Sequence, residues 1–304
     1  MKSICTLYWA ILFFSSMTTV SAQDYIPLWP EGQMPNSRGL GLERIEERER
    51  VSQVGMPGLY AFFPSKEENK RSAVLICPPG GYQKLTYVVA GTQLAKWFNT
   101  MGVNAFVLMY RLPTSPDLLE PSIAPLQDAQ RGMKFIRAHA AGWGIDVDKI
   151  GVFGSSAGGH VASSLSTVSA DCSSIADSLD RFPFTPDFQI LVSPVISMVD
   201  HFHRGSHDAL LGKDASAALA QRFSNERNVT VRTPPCLMVH AHNDPVVDPL
   251  NSINYYVALR ENGVRASLHI FPEGGHSIAL RNNPGSTAWW AALCEAWLTE
   301  MGFL

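Results

Sequence analysis

One serine in the chain lies in a sequence that suits a catalytic nucleophile. Residues 154–158 read G-S-S-A-G, the G-x-S-x-G pattern with Ser156 at its centre. The apolar run 149–153 before it predicts a buried strand, and the small residues of 159–166 predict a helix packed closely on a sheet. Strand, tight turn and helix form a nucleophile elbow, which lifts the serine hydroxyl clear of the backbone. We therefore predict a nucleophilic Ser156.

Such a serine needs a base to take its proton and a third group to orient that base. On a strand–turn–helix scaffold of this kind the chain order is serine, acid, histidine. Asp244 and His276 follow strand-like runs in that order, which predicts His276 as general base and Asp244 as its orienting carboxylate. Asp248 is the alternative acid, since it lies four residues further on. His240 and His242 are predicted to be structural or rim residues.

The glycine-rich loop after the strand-like run 73–77 is the predicted oxyanion hole. Acyl transfer needs N–H donors aimed at the developing negative oxygen. The elbow places the N–H of Ala157 for this role, and the two prolines that open the loop have no N–H to donate. The second donor is therefore expected from Gly80, Gly81 or Tyr82.

Alternating strand-like and helix-like runs along the chain predict an α/β fold with a mostly parallel central sheet. Apolar runs without polar alternation indicate parallel strands that helices cover on both faces. These runs are 73–77, 105–110, 149–153, 188–192, 236–240 and 266–271. Helix-like runs between and after them include 126–142, 253–262 and 286–301.

Three segments depart from this regular alternation. Residues 51–63 predict an antiparallel hairpin at the sheet edge, and 23–42 predict an extended lead-in over the surface. Residues 195–235 lie at the end of the sheet where sites form, and are predicted to be a short cap. With no interdomain linker visible, 23–304 is predicted to be a single catalytic domain.

Composition and the N-terminus limit the possible partners and compartment. The 304 residues carry a net charge of −3 and no basic field, which argues against nucleic acid as a partner. Lys2, the apolar run 7–14 and the small residues up to Ala22 predict a signal peptide over 1–22, cleaved after Ala22. The apolar run is too short to span a bilayer comfortably. A secreted or periplasmic protein, free of the membrane after cleavage, is therefore predicted, and its oligomeric state is left open.

The spacing of the histidines and cysteines along the chain does not predict a metal site. His201, His203 and His207 lie close together, but a solvated cap is preferred over a metal cluster. No cofactor or metal is expected. The mature chain keeps four cysteines without zinc spacing: Cys77, Cys172, Cys236 and Cys294. Buried thiols, with one disulfide as the alternative, are predicted because Cys77 and Cys236 lie in strand-like runs and Cys294 lies in a helix-like run.

Several motifs carry a family resemblance. They are CPPGGY (77–82), DAQRGMKFIRAHAAGWGID (128–146), IGVFGSSAGGHVAS (150–163), HRGSHDALLG (203–212), TPPCLMVHAHNDPVVDP (233–249) and HIFPEGGHSIAL (269–280). These motifs span most of the mature chain and occur in the same order as in the family. On them, the sequence resembles the secreted bacterial α/β-hydrolase esterases grouped with acetyl xylan esterases. Pro79 departs from the family loop, which often has three glycines.

The resemblance implies a serine carboxylesterase that removes small acyl groups, typically acetyl, from an acylated plant polysaccharide such as xylan. By position it assigns the nucleophile, acid and base to Ser156, Asp244 and His276. Another serine hydrolase on the same fold, such as a feruloyl esterase, a general esterase or a peptidase, is the first alternative. The second is a carbohydrate-binding protein that has lost the chemistry. Trp29, Trp143 and Trp289 are candidates for sugar stacking or for packing.

Overall fold

The computed structural model describes residues 25–276 and 278–304; the predicted signal peptide lies outside them. The strands are β1 (Tyr25–Pro27), β2 (Ile45–Glu47), β3 (Arg50–Gln53), β4 (Gly58–Phe62), β5 (Ala73–Cys77), β6 (Asn104–Met109), β7 (Ile150–Ser155), β8 (Gln189–Val192), β9 (Cys236–Ala241) and β10 (Ala266–Phe271). The helices are α1 (Gln93–Thr100), α2 (Ala124–Trp143), α3 (Ala157–Thr167), α4 (Arg204–Leu211), α5 (Ala217–Arg222), α6 (Leu250–Glu261) and α7 (Trp290–Glu300).

Eight of these strands form one sheet in the order β1-β4-β6-β5-β7-β8-β9-β10. The six strands from β6 to β10 in this order are parallel, and β4 pairs antiparallel with both β1 and β6. The central strands are buried along their whole length, which explains their unbroken apolar sequences. This mostly parallel sheet confirms the predicted α/β-hydrolase fold.

Helices cover both faces of the sheet, and successive strand residues alternate between two cores. In β5, Leu75 packs in one core with α2, α3 and α6, whereas Ile76 packs in the other with α1 and α7. Phe98 of α1 and Trp290 of α7 are buried in that second core. Burial on both faces fixes the sheet register, and therefore fixes the positions of the loops that leave the strand ends.

The predicted hairpin over 51–63 is wrong. β3 pairs with β2 in a separate two-stranded sheet, and β4 pairs with β1 and β6 of the main sheet. Alternation in the sequence indicates which side chains share a face, but it does not identify the neighbouring strand. The starts of two helices also differ from the predictions. Helix α6 begins three residues before the predicted start at 253, and helix α7 begins four residues after the predicted start at 286.

The lead-in before β2 is anchored in the core rather than only lying on the surface. Trp29 is 3% exposed, and its Nε1–H donates to Asp128 Oδ1 on α2 over 2.9 Å. The same buried carboxylate forms an ion pair with Arg111, with 2.8 Å between Arg111 Nη2 and Asp128 Oδ1. Trp29 is therefore a packing residue, and its ring is too buried to stack on a sugar.

All three thiols placed in regular elements, Cys77, Cys236 and Cys294, are buried, as predicted, and all four cysteines of the described chain are free. Among the described residues, none of the helices combines the length and apolarity that crossing a bilayer requires.

Candidate active site

Ser156 lies in the turn between β7 and α3. Its φ of 52° and ψ of −125° are a strained conformation for a residue with a side chain. The turn is held by the Ser156 N–H, which donates to the Val192 carbonyl over 3.1 Å, and by the Gly159 N–H, which donates to the Ser156 carbonyl over 2.9 Å. Only glycine fits at 158, because a Cβ there would collide with the Cys77 carbonyl oxygen. The local structure is the nucleophile elbow that the sequence predicts.

The three residues predicted as a triad are brought together, although they lie in separate loops at the carboxyl ends of β7, β9 and β10. His276 Nε2 is 2.9 Å from Ser156 Oγ, and His276 Nδ1 is 2.8 Å from Asp244 Oδ2. An ionised carboxylate only accepts hydrogen bonds, so Nδ1 carries the imidazole proton. Nε2 is then the free acceptor for the Ser156 hydroxyl proton, as general-base catalysis requires.

Four donors surround the Asp244 carboxylate. Oδ1 accepts the N–H groups of Val246 and Val247 at 2.9 and 3.0 Å, and Oδ2 accepts from His276 and from His240 Nε2, the latter at 3.2 Å. Burial alone would raise the Asp244 pKa, but the hydrogen bonds from His240, His276 and the two backbone groups hold that pKa well below its usual range. The carboxylate therefore stays ionised wherever His276 is able to act as a base.

His240 was predicted to be a structural or rim residue, and its contact with Asp244 was not predicted. It is fully buried; its Nε2–H is shared between Asp244 Oδ2 and the Val247 carbonyl, and its Nδ1 accepts the Ser252 hydroxyl at 2.8 Å. The spacing of four residues between His240 and Asp244 was the sequence signal that could have predicted this contact. The alternative acid, Asp248, lies elsewhere, with Oδ1 on the Leu250 N–H and Oδ2 near His201.

The predicted oxyanion loop is a tight turn beside Ser156. Gly80 adopts a φ of 145°, and its carbonyl accepts the N–H groups of Gln83 and Lys84. A Cβ at Gly80 would collide with the Lys84 carbonyl, so only glycine suits this turn. Within the described part of the chain, the N–H groups of Gly81 and Ala157 have no hydrogen-bond partner. Their role as oxyanion donors stays a prediction that this arrangement supports.

A cavity of about 530 Å³ opens in front of these groups. Ser156, His276, Gly80 and Gly81 line it on the reactive side, and His203 contributes from the predicted cap. The remaining wall is largely apolar and includes Leu94, Phe153, Val192, Ile278, Leu280 and Trp290. A concave apolar wall facing a few polar groups is typical of a small-molecule site.

Known proteins are similar to this chain both in sequence and in fold. Residues 59–259 match the family described as BD-FAE, which covers well over half of the chain. The chain belongs to the BD-FAE family. It is 32% identical over 235 residues to the acetylxylan esterase of Xylanibacter ruminicola, covering 76% of this chain and 45% of that protein. It is also 32% identical over 234 residues to endo-1,4-beta-xylanase B of Butyrivibrio fibrisolvens, covering 77% of this chain and 36% of that protein.

This BD-FAE chain thus spans less than half the length of these curated relatives. Among solved structures, the acetyl ester-xyloside bifunctional hydrolase of Caldicellulosiruptor lactoaceticus matches with a TM-score of 0.80 and 31% identity, covering 94% of this chain and 99% of that one. The carboxylesterase Cest-2923 of Lactobacillus plantarum matches in fold, with a TM-score of 0.69 and 23% identity over 86% of this chain and 97% of that one. The predicted resemblance to the acetyl xylan esterase group is confirmed.

A buried histidine connects three parts of the BD-FAE site. His160 on α3 has Nε2 2.7 Å from the Phe223 carbonyl and Nδ1 2.7 Å from the Tyr82 hydroxyl. A carbonyl only accepts, so Nε2 carries the proton and Nδ1 accepts the hydroxyl proton of Tyr82. The helix that follows Ser156, the predicted oxyanion loop and the predicted cap segment are thereby joined through one neutral imidazole.

We expect His160 to make the stability of the protein depend on pH. Burial lowers the pKa of His160 from 6.5 to about 4. Between these values the unfolded chain binds the proton that the folded protein rejects, so the free energy of unfolding falls as the pH falls. The contribution of His160 to this fall should reach about 3 kcal/mol and level off below pH 4. Urea unfolding at intervals from pH 7 to pH 4 measures it.

The variant His160→Gln removes the titrating group but keeps an amide that can donate to the Phe223 carbonyl. Its unfolding free energy should vary less with pH than that of the wild type, by about the same 3 kcal/mol. Tyr82→Phe serves as the matched control, because it removes one partner and leaves the ionisable ring in place. Equal pH slopes for His160→Gln and the wild type would contradict the prediction.

The three histidines at 201–207 make separate contacts, and that of His201 is with Asp248. His203 lines the cavity and caps the start of α4, where its Nδ1 accepts the Ser206 N–H over 3.2 Å. His207 instead pairs with Asp208, with 2.9 Å between Nδ1 and Oδ1. In the residues the structure describes, no three histidine, cysteine or acidic side chains converge as metal ligands.

Proposed function

We propose that the chain is a serine carboxylesterase that removes acetyl groups from an acylated plant polysaccharide such as acetylated xylan. The observation that carries the proposal is the hydrogen-bonded chain from Ser156 Oγ through His276 to Asp244, facing the cavity. The curated and solved relatives support the substrate class, since their names include acetylxylan esterase and acetyl ester-xyloside hydrolase. The signal-like sequence over 1–22 supports export to the periplasm or medium.

In the proposed reaction, Ser156 Oγ attacks the ester carbonyl carbon while His276 Nε2 takes the hydroxyl proton. The negative oxygen of the tetrahedral intermediate faces the N–H of Ala157 and the donors of the Gly80–Gly81 loop. The bond to the sugar oxygen breaks as His276 returns its proton to that oxygen. Water, deprotonated by His276, then attacks the acyl-serine ester, and acetate leaves as Ser156 regains its proton.

A larger aromatic acyl group is the second candidate. The cavity of about 530 Å³ is much larger than an acetyl group requires, and Phe153 and Trp290 supply aromatic surface in its wall. A feruloyl group would bury more of this apolar wall than an acetyl group does. The two candidates share the chemistry at Ser156 and differ only in the acyl group that the cavity holds.

The test is acid release by the purified protein from acetylated xylan, a feruloylated arabinoxylan, a long-chain acyl ester and a peptide. The blank is the same protein after reaction with a serine-reactive phosphonate. Acetate release that the phosphonate abolishes supports the proposal, and ferulate release without acetate favours the second candidate. A folded protein that cleaves none of these substrates, yet binds xylan, would favour the carbohydrate-binding alternative.

A further inference from the structure

A second cleft lies beside the cavity, on the other side of the Asp244 loop. It encloses about 510 Å³ and is lined mainly by His201, Phe202, His242, Asp248 and the turn 244–246. Its polar lining includes two imidazoles and the Asp248 carboxylate, with the Phe202 ring beside them. Asp244 also lines the cleft, but the proposed reaction gives no role to the side chains of His201, Phe202, His242 and Asp248.

The two cavities are neighbours because the same two chain segments border both. Val246 lines both of them. In the second segment, His203 lines the first cavity, whereas His201 and Phe202 line the cleft. A substrate that crosses this border therefore has one part against the apolar wall and the other part among polar groups.

The chemistry assigns a direction to such a substrate. The proton on His276 Nε2 must reach the leaving oxygen, so the alcohol part of the ester departs next to His276. His276 is held by Asp244, whose own loop forms the wall of the cleft. The acyl group and the leaving oxygen therefore both lie in the cavity, on the Nε2 side of His276, and a leaving saccharide that extends past Val246 continues into the polar cleft.

The principal polar pair of the cleft is pre-formed. His201 Nδ1 lies 3.2 Å from Asp248 Oδ2, and both side chains are 44% exposed. Buried Asn251 fixes both members, because its Nδ2 donates to the His201 carbonyl at 2.8 Å and to the Asp248 carbonyl at 3.1 Å. An exposed pair of this kind contributes little to stability, whereas His201 carries a strained φ of 52°.

We propose that this cleft binds a pyranose ring of the leaving saccharide, next to the ring that bears the ester, as a leaving-group subsite of the enzyme. A neutral sugar offers hydroxyls that both donate and accept, which matches His201, His242 and the Asp248 carboxylate. The Phe202 ring supplies an apolar surface for a sugar face. The inference rests on the proposed function, and it gives the histidine-rich segment a role in choosing the alcohol.

The test compares an acetylated xylo-oligosaccharide with a simple aryl acetate, whose leaving group does not need the cleft. His201→Ala and Asp248→Asn should each lower kcat/KM for the oligosaccharide about tenfold, mainly through KM, and change it less than twofold for the aryl acetate. Asn at 248 keeps an oxygen for the Leu250 N–H that starts α6. The control is Glu46→Gln, which disrupts the exposed ion pair with Arg44, outside both the cavity and the cleft, and should change the hydrolysis of neither substrate.

A second readout separates this inference from the proposed function. Unacetylated xylo-oligosaccharide that binds from the cleft past Val246 into the cavity excludes the aryl ester from Ser156, so it should inhibit aryl acetate hydrolysis in the wild type, and the inhibition should weaken about tenfold in both variants. If the wild type releases no acetate from saccharides but shows this inhibition, the subsite stands and the proposed substrate falls. Equal losses for both substrates, or unchanged inhibition in the two variants, would overturn the subsite.

Discussion

Ser156→Ala is expected to lower kcat for ester hydrolysis by about 10⁴-fold or more while KM changes little. The loss follows from the geometry, since His276 Nε2 has the Ser156 hydroxyl at 2.9 Å and would have no nucleophile to activate. Water taking its place would lack the orientation that the elbow gives to Oγ. Initial rates on an aryl acetate, at protein concentrations high enough to detect the residual activity, measure this loss.

Covalent labelling gives an independent readout of the same serine. A serine-reactive phosphonate should add one label to the wild type by intact-protein mass, and none to Ser156→Ala. The control is Ser166→Ala on the same helix, whose hydroxyl only donates to the Ala162 carbonyl of its own helix at 2.8 Å. Labelling of Ser156→Ala, or full activity in it, would remove Ser156 from the mechanism.

The outline of the site could be predicted from sequence because its signals are local. The elbow is a pattern of small residues within a few positions of Ser156, imposed by the close approach of Gly158 to the Cys77 carbonyl. Asp244 and His276 each follow an apolar strand directly, and parallel strands deliver their loops to one edge of the sheet. Local pattern and sheet geometry together are therefore sufficient to bring the three residues near one another.

The connections beneath the site could not be predicted, because they join distant segments. His160 reaches Tyr82 across 78 positions and Phe223 across 63, and no local pattern marks either pair. The strand at 58–62 shows the same limit, since its partner β6 is set by the packing of the sheet rather than by its own alternation. Sequence patterns fix the face that a residue presents, whereas its partner follows from the tertiary fold.

The donors around Asp244 determine what an amide would do in its place. Two of them, the N–H groups of Val246 and Val247, belong to the backbone and cannot reverse their direction. In Asp244→Asn the amide oxygen should therefore take the Oδ1 position. The amide NH₂ then replaces Oδ2, where it faces the nitrogens of His276 and His240.

This arrangement forces His276 into the wrong tautomer. Facing a donor, Nδ1 becomes the acceptor, the proton moves to Nε2, and the ring cannot take the Ser156 proton. We expect Asp244→Asn to lower kcat by about 10⁴-fold with little change in KM, measured on the aryl acetate. Asp248→Asn is the matched control, and its rate on that substrate should stay near that of the wild type. The reverse result, with loss at 248 and none at 244, would transfer the orienting role to Asp248 and contradict the geometry of the site.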